Sequence, residues 1–365
     1  MIKKALLAPF MVALVPTVIT IIFGLLLGLV LLLLTVGDRA IPAFQLILTG
    51  GFTITGFSNG VSRMIFYVVP IMMTGLSVGL AMKTGVFNIG ATGQLLMGMF
   101  AGIYIGLIWE PALGAYTWVA ALIGGAFLGG VWGLIQGALQ AYKKVNAIVC
   151  GIMMNFIGLS LVNIMIVYNG DLYVDTRDWT HFIPRNGLLP TAGLNRIFVG
   201  GGANSGVLFG IAFCIIVFFI LEKTTRGYEM KACGLNNNAA KYAGINVEKN
   251  VMISMALAGA VAGLGGMMFH NGTPGQAFSL TNALRPEGFT GIPVALLAAG
   301  HPIGIIFSSL FIAYLQTGGL GVQALGVEAD FVSVITAVII FSCSFNLLIR
   351  KFYIWLIGKV FDRKQ

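Results

Sequence analysis

Two amide side chains interrupt an apolar run near residue 90, and they are the strongest candidates for chemistry in this sequence. Asn88 and Gln94 lie in the segment 83–98, with three glycines close to them. An amide is costly in hydrocarbon unless it is hydrogen-bonded, and glycines permit non-helical backbone that lines a cavity. The pattern predicts a discontinuous helix whose amides bind a neutral, polyhydroxylated solute. Hydrogen bonding between helices is the alternative role.

The other reactive residue types show no pattern that is typical of an enzyme or a metal site. Cys150, Cys214, Cys233 and Cys343 are far apart and lack metal-ligand spacing, which favours a role as small apolar packing residues. The sequence also lacks a G-x-x-x-x-G-K-[ST] loop to cradle ATP. We therefore expect no catalytic residue, no metal and no cofactor in this chain.

A polar stretch at 222–249 has the pattern of a surface that contacts a soluble protein. Asn236 begins a run of amides suited to capping a helix, because short polar side chains bond the free N–H groups at a helix start. Ala239 and Ala240 then give a small, smooth helical face, and Gly244 predicts a helix stop. We interpret the stretch as a short amphipathic helix that docks on a partner. An ordinary solvated connector is the alternative.

Composition places these segments in a membrane protein. Hydrophobic residues make up 58% of the chain and charged residues 9%, and the mean hydropathy is +0.95. A soluble domain needs more charge to cover its surface. The apolar runs are too long and too continuous for barrel strands, so the sequence predicts an all-α polytopic membrane protein.

Apolar runs near the length of a membrane span, about 20 residues, predict about ten transmembrane helices, within a range of eight to ten. The segment 288–300 is too short to cross unaided, so we expect a half-helix or part of a broken pair with 302–320. The first span is interpreted as a retained helix and not a cleaved signal peptide, because its apolar run continues to Val36. The predicted spans are 16–36, 64–82, 86–108, 116–140, 145–168, 205–221, 250–269, 288–300, 302–320 and 331–349.

Charge predicts the orientation of these spans. With a cytoplasmic N-terminus and ten crossings, 15 of the 21 Lys and Arg residues fall on the inside, in agreement with the positive-inside rule. The net charge of +9 then reflects topology, and nucleic-acid binding is not expected. We predict cytoplasmic N- and C-termini, a cytoplasmic loop at 222–249 and an extracellular loop at 169–204, within one transmembrane domain of residues 1–365.

The predicted spans contain no Asp, Glu, Lys or Arg. Carriers driven by an ion gradient usually keep such groups in the membrane to bind the ion. This class is therefore disfavoured, although sodium sites built from carbonyl groups stay possible. We expect the driving force to come from an ATP-hydrolysing partner.

Three motifs resemble one family of transporters. The stretch from Gly227 to Gly244, with its Lys-Ala-x-Gly-x-Asn-x-x-Ala-Ala-x-x-x-Gly-Ile core, is similar to the coupling loop of ABC importer permeases in the nucleoside, simple-sugar and branched-chain amino-acid superfamily. The stretch 87–94, Phe-Asn-Ile-Gly-x-x-Gly-Gln, resembles a motif of nucleoside-type permeases, which usually have Glu where Thr92 stands. The stretch 286–297 resembles the Gly-Phe-x-Gly-Ile-x-Val-Ala-Leu-Leu segment of the same group.

The resemblance implies the permease subunit of an ATP-driven importer for nucleosides, in the cell membrane and in contact with its lipid. The implied partners are a cytoplasmic ABC ATPase subunit, a second permease chain that is identical or a sister, and an extracellular substrate-binding lipoprotein of the basic-membrane-protein type, which the 169–204 loop would contact. The implied substrate pathway contains Phe87, Asn88, Gln94, Asn155 and Phe289. The residues implied in coupling to the ATPase are Gly234, Asn236, Ala239, Ala240 and Gly244.

Three alternatives stay open from the sequence. The first is the same machine carrying a simple sugar such as ribose. The second is an ion-driven secondary transporter, and the third is a channel or scaffold without an energised step.

Overall fold

The computed structural model describes residues 9–50, 52, 56–174, 176–200 and 202–362. Outside this set lie Lys3, Lys4, Arg363 and Lys364, which the orientation prediction counts among the 15 inside residues, and the side chain of Cys343.

Helices make up most of the described chain. In chain order they are α1 Pro9–Val36, α2 Ala40–Leu48, α3 Phe57–Lys83, α4 Ala91–Ile108, α5 Glu110–Leu113, α6 Thr117–Tyr142, α7 Ala147–Val167, α8 Leu194–Ile197, α9 Gly206–Lys223, α10 Thr225–Leu235, α11 Asn237–Tyr242, α12 Val247–His270, α13 Pro286–Leu297, α14 Pro302–Val322, α15 Ala329–Cys343 and α16 Asn346–Asp362.

The extended structure in the described residues is a small hairpin between α7 and α8. Strands β1, Tyr173–Val174, and β2, Trp179–Thr180, pair antiparallel. Tyr173 lies opposite Thr180, and Val174 opposite Trp179. This hairpin is a local feature of the 169–204 loop, so the prediction of an all-α polytopic fold is confirmed.

Eight helical stretches of the described chain are long and apolar enough to cross a membrane, which is the lower end of the predicted range. The two predicted spans that fall short are 288–300 and 331–349. The first is α13, whose 12 residues rise only about 18 Å. The second is divided, because α15 ends at Cys343 and α16 begins at Asn346.

The predicted start at residue 86 was wrong, and two helices were missed, for physical reasons. The predicted helix 86–108 begins at Ala91, because Gly85 adopts a left-handed φ of +78° and the backbone stays non-helical up to Gly90. The helices α2 and α16 were not predicted. Charge interrupts the apolar pattern at both places, at Asp38 and Arg39 before α2 and at Arg350 and Lys351 within α16.

One span, α9, separates the 169–204 loop from the 222–249 loop, so the two loops lie on opposite sides of the membrane. We refer to these sides as the 169–204 face and the 222–249 face. Helix α12 lies at the centre of the bundle, where it packs against α3, α4 and α6.

Glycines on α6 and α12 allow the two helix backbones to touch. A Cβ atom added at Gly129 would overlap the carbonyl oxygen of Gly259, and one added at Gly133 would overlap that of Met255. The reverse holds for Gly259, whose added Cβ would overlap the oxygen of Gly129. Small residues permit this approach, and dispersion contacts between the backbones stabilise it. We call this contact the α6–α12 glycine seam.

The seam predicts that a single methyl group on α6 is harmful at one glycine and tolerated at another. Gly133→Ala is expected to destabilise the bundle by about 1–3 kcal/mol, because the methyl group overlaps backbone that cannot move aside. Gly130→Ala is the matched control, since its Cβ would meet the Cβ of Ala260 at an ordinary 3.4 Å. Thermal unfolding of both variants in detergent tests this; equal midpoints would contradict it.

Candidate functional site

The break between α3 and α4 turns back from the 222–249 face into the protein. After Lys83, the turn at Thr84 and Gly85 reverses the chain, and the hydroxyl of Thr84 donates to Ser254 on α12 at 2.8 Å. Residues 86–90 then lead to α4. The side chain of Asn88 reaches Ser77 of α3, which lies six residues before the end of that helix. The non-helical backbone is therefore inside the span.

Four amide side chains, all fully buried, hold this break in place; we call them the amide network. Asn88 Nδ2 donates to Ser77 Oγ at 2.9 Å and to Gln94 Oε1 at 2.8 Å. Gln94 Nε2 donates in return to Asn88 Oδ1 at 3.2 Å, and also to Gln136 Oε1 at 3.1 Å. The network thereby joins the break to α3 and α6.

Asn155, the fourth member, connects the break to α7. Its Oδ1 accepts the backbone N–H of Gly93 at 2.8 Å, and its Nδ2 donates to the carbonyl oxygen of Ile89 at 3.0 Å. Gly93 is in the first turn of α4, where N–H groups have no acceptor within the helix. One side chain thus satisfies two backbone groups that the break leaves unpaired.

The predicted pathway residues therefore fall into two groups. Asn88, Gln94 and Asn155 meet in the amide network, with no exposed surface. Phe87 is half-buried beside them in the break. Phe289 lies on a different element, α13, and is 36% exposed. The sequence reasoning missed Gln136, although a glutamine within the apolar run 116–140 was a usable signal.

Helix α13 begins in the middle of the membrane. The hydroxyl of Thr74 donates to the carbonyl oxygen of Glu287 at 3.2 Å, and Thr74 lies nine residues, roughly 14 Å, before the end of α3. Gly288 packs directly on Thr92 in the first turn of α4, leaving no room for a Cβ atom. The first turns of α4 and α13 therefore meet at this depth.

The other end of α13 is held near the 222–249 face. Asn346 Nδ2 donates to the oxygen of Leu297 at 2.8 Å, and Lys83 Nζ donates to that of Ala299 at 3.2 Å. A tight turn follows, with positive φ at Ala299 and Gly300, and α14 then starts at Pro302. The prediction of a half-helix paired with the 302–320 span is confirmed.

The 222–249 loop forms two consecutive helices, α10 and α11. Asn236 Oδ1 accepts the backbone N–H groups of Asn238 at 3.0 Å and Ala239 at 3.1 Å, which confirms the predicted cap. Helix α11 ends at Tyr242, and Gly244 has a left-handed φ of +81°, which confirms the predicted stop. Ala239 is exposed, whereas Ala240 is only 3% exposed.

A small core supports the two loop helices. It contains Ala240, Cys233 and Val247. Burial raises the pKa of the Cys233 thiol, and the nearby carboxylate of Glu229 adds to this shift, so the thiol stays neutral inside the loop. Asn250 Nδ2 donates to Glu229 Oε2 at 3.1 Å, which connects the loop to α12. The loop is therefore a folded unit on the bundle.

An apolar groove of about 640 Å³ runs between α10 and α11. Two of its lining side chains are large and exposed, Tyr228 by 69% and Leu235 by 88%, and Tyr242, next to the lining residue Ala243, is 95% exposed. The lining residues are Thr225, Tyr228, Glu229, Ala232, Leu235, Asn236, Ala239, Ala240, Ala243 and Ile245. An exposed apolar surface of this kind is typical of a protein–protein contact.

Gly234 connects this loop to the break between α3 and α4. A Cβ atom at Gly234 would overlap the carbonyl oxygen of Lys83, and one at Gly85 would lie 3.1 Å from the Cα of Gly234. The end of α10 thus touches the turn that begins the break, backbone against backbone. Of the five predicted coupling residues, Asn236 and Ala239 line the groove, as does the buried Ala240, whereas Gly234 faces the bundle and Gly244 ends the helix.

The 169–204 loop is tied to the bundle through Asn271. The Asn271 Nδ2 atom donates to the carbonyl oxygens of Gly187 at 2.9 Å and Gly102 at 3.1 Å. Beside this anchor lies an open cavity of about 540 Å³, whose lining includes Trp118, Arg185 and Asn186. The loop therefore forms a fixed surface with both polar and aromatic groups.

Comparisons with known proteins give one family. The model of the branched-chain amino acid transport system permease component matches residues 60–343. The guanosine ABC transporter permease protein NupP of Bacillus subtilis is 34% identical, over 85% of this chain and 91% of its own. The nucleoside ABC transporter permease protein NupB of Lactococcus lactis subsp. cremoris is 34% identical over 91% of both chains.

A third similar protein is named for a different solute. The glucose ABC transporter permease protein TsgB13 of Haloferax volcanii is 31% identical, over 84% of this chain and 80% of its own. No solved structure matches the chain.

The amide network predicts that one of its side chains stabilises the fold. Asn88→Ala is expected to lower the free energy of unfolding by about 1–3 kcal/mol, because it leaves the buried amide of Gln94 and the hydroxyl of Ser77 with fewer partners. Asn195→Ala, at an exposed position of the 169–204 loop, is the control. The temperature of heat-induced aggregation in detergent is measured for both variants. An Asn88→Ala temperature equal to that of the parent would contradict the stabilising role.

Proposed function

Because the chain belongs to the family of branched-chain amino acid transport system permease components, we propose that it is the membrane-spanning subunit of an ATP-driven importer of nucleosides. The observation that carries this proposal is the similarity, along most of the chain, to two permeases named for guanosine and nucleosides. The chain provides the path for the solute, and a separate ABC ATPase subunit hydrolyses ATP.

The 222–249 loop is the proposed contact with the ATPase. The apolar groove between α10 and α11, whose lining includes the exposed Tyr228 and Leu235, supports this role. Under the proposed topology the loop is cytoplasmic, as are both chain termini, and the 169–204 loop faces outwards. An extracellular substrate-binding lipoprotein would dock on that outer loop, and a second permease chain would complete the path.

The movement of the ATPase would pass from the 222–249 loop to the break between α3 and α4. When the ATPase subunits close, they push α10 and α11, and Gly234 transfers the displacement to the turn at Lys83 and Gly85. The amide network then moves the start of α4 together with its neighbours. A packed bundle has few discrete arrangements, so a small push favours one of two states of the path.

In this proposal the buried amides hold the backbone that shapes the path, and they do not contact the solute themselves. Asn88, Gln94 and Asn155 are pathway residues because they fix the non-helical backbone of the break. Two of the proposed pathway residues have exposed surface that a solute would contact. Phe87 is half-buried in the break, and Phe289 is exposed on α13.

A simple sugar is the second candidate solute, and the similarity to the glucose permease of Haloferax volcanii favours it. Vesicles that contain the whole transporter distinguish the two. We expect ATP-dependent uptake of labelled uridine or guanosine that excess adenosine abolishes and excess ribose or glucose leaves unchanged. Uptake that only the sugars abolish would replace nucleoside by sugar, and uptake by the chain alone on an ion gradient would overturn the ATP-driven mechanism.

One charge in the groove is expected to uncouple transport from ATP hydrolysis. Ala239→Asp places a carboxylate on an exposed lining residue, where an apolar contact with the ATPase would have to desolvate it. We expect a loss of uptake of about tenfold or more, with normal insertion. Uptake, together with co-purification of the ATPase, measures this.

Asn238→Asp is the control for that prediction. It adds the same charge to the same helix at a residue outside the groove lining, and we expect uptake within about twofold of the parent. If both variants transport like the parent, the groove is not the ATPase contact.

A further inference from the structure

A carboxylate lies in the middle of the membrane, where the sequence predicted none. Glu287 is the second residue of α13, at the depth of Thr74. Its Oε2 atom is buried and, among the residues that the structure describes, has no hydrogen-bond partner. An acidic side chain at this depth is costly unless it faces a water-filled space or a partner group. Its presence at this depth therefore points to a function.

Glu287 belongs to a line of polar groups that leads in from the 169–204 face. Arg63 and Tyr67 are one helical turn apart on α3, both half-buried, and Tyr67 lies within electrostatic range of both Arg63 and Glu287. Arg285 precedes α13, and its Nε atom is also buried without a hydrogen-bond partner in the described structure. Unused donor and acceptor capacity is thus left at two residues that flank the start of α13.

Aromatic rings line the same region. Phe66 and Tyr67 are half-buried and meet edge to face with ring centroids 5.3 Å apart, and Phe66 lies 5.0 Å from the ring of Phe269. The guanidinium of Arg285 lies 5.2 Å from the centre of the Phe278 ring. Of these rings, Tyr67 lies within electrostatic range of the Glu287 carboxylate, and a flat, neutral heterocycle can stack on such a ring.

The inner end of this region is closed by the contact between Gly288 and Thr92. Gly288 packs directly on Thr92, and the fully buried Thr92 hydroxyl, directed at that first turn of α13, has no hydrogen-bond partner among the described residues. Together with Glu287 and Arg285 it gives three unmatched polar groups around one helix start. A ligand with several hydroxyl groups would match them.

We propose that Glu287 and Tyr67 form the mid-membrane contact for the transported solute, with the carboxylate accepting hydrogen bonds from ribose hydroxyls and the Tyr67 ring packing against the base. The inference rests on the proposed function and adds a defined site to it. It explains discrimination within the membrane: a carboxylate prefers a vicinal diol to a sugar edge that lacks hydroxyls, because the buried acceptor is otherwise unpaired.

The transport test compares uridine with 2′,3′-dideoxyuridine in vesicles that hold the complete transporter, at concentrations that saturate its substrate-binding subunit. Glu287→Gln is expected to slow uridine uptake about tenfold or more and to leave the dideoxy analogue within about twofold, because only the ribose form uses the carboxylate. The control, Glu328→Gln, changes an exposed glutamate before α15 and should behave like the parent.

A second measurement does not depend on transport. In intact cells that carry the complete transporter, Glu287→Cys is expected to react with a small, membrane-impermeant thiol reagent, and uridine should slow that reaction while ribose-free uracil slows it less. Parent cells give the background from the native cysteines, three of which are buried.

The outcomes distinguish a failure of the proposed site from a failure of the proposed function. Unchanged uridine uptake by Glu287→Gln, an equal loss for both solutes, or an unreactive Glu287→Cys would each overturn the site, while leaving the importer proposal intact. If the parent transporter imports no nucleoside at all, the proposed function itself fails, and the site falls with it.

Discussion

Backbone that leaves helical geometry inside a bilayer must find its hydrogen-bond partners within the protein, because lipid offers none. The break at 84–90 meets this requirement with side chains: Asn155 serves Ile89 and Gly93, and the remaining amides bond to one another. The position of α4 and its meeting with α13 depend on these bonds. If they were absent, the cheapest structure for the segment would be a continuous helix, and the discontinuity on which the path depends would be lost.

Much of the fold could be predicted from the sequence, because hydrophobic length and charge are strong local signals. The spans at Thr117–Tyr142 and Ala147–Val167 agree with prediction within two residues at each end. Asn236 and Gly244 bound α11 as expected, since capping and left-handed termination are decided by a few adjacent residues. The failure at 86–90 has the opposite cause: the sequence there is apolar enough for a helix, and only contacts with other helices reveal the break.

The candidate site was less accessible to sequence reasoning for the same reason. Asn88 and Gln94 stood out as polar residues in an apolar run, but their pairing with Gln136, 42 residues further on, is a tertiary fact. Glu287 lies one residue before the predicted segment 288–300, so the sequence placed no carboxylate inside a span. Its depth becomes apparent only from the bond between its carbonyl oxygen and Thr74. Long-range hydrogen bonds, which local pattern does not encode, decided both positions.

Close contacts of glycines recur at three places that matter for motion: the α6–α12 glycine seam and Gly234 against Lys83, where backbone meets backbone, and Gly288 against the Cα atom and side chain of Thr92. Side chains can change rotamer to absorb a shift, but two backbones in contact cannot. A displacement at such a point is therefore passed on rather than absorbed. This makes the two contacts outside the seam suitable for transmitting a push, whereas the seam itself provides a stiff frame.

The glycine seam also has a consequence for how the chain is made. Helix α6 ends at Tyr142 and its partner α12 begins at Val247, so the ribosome needs roughly ten seconds to reach the second helix after finishing the first. During that interval the glycine strip of α6 has left the translocon without its partner helix. Lipid covers such a bare strip poorly, and a membrane chaperone that holds α6 until α12 arrives would protect the nascent protein from pairing with the wrong helix.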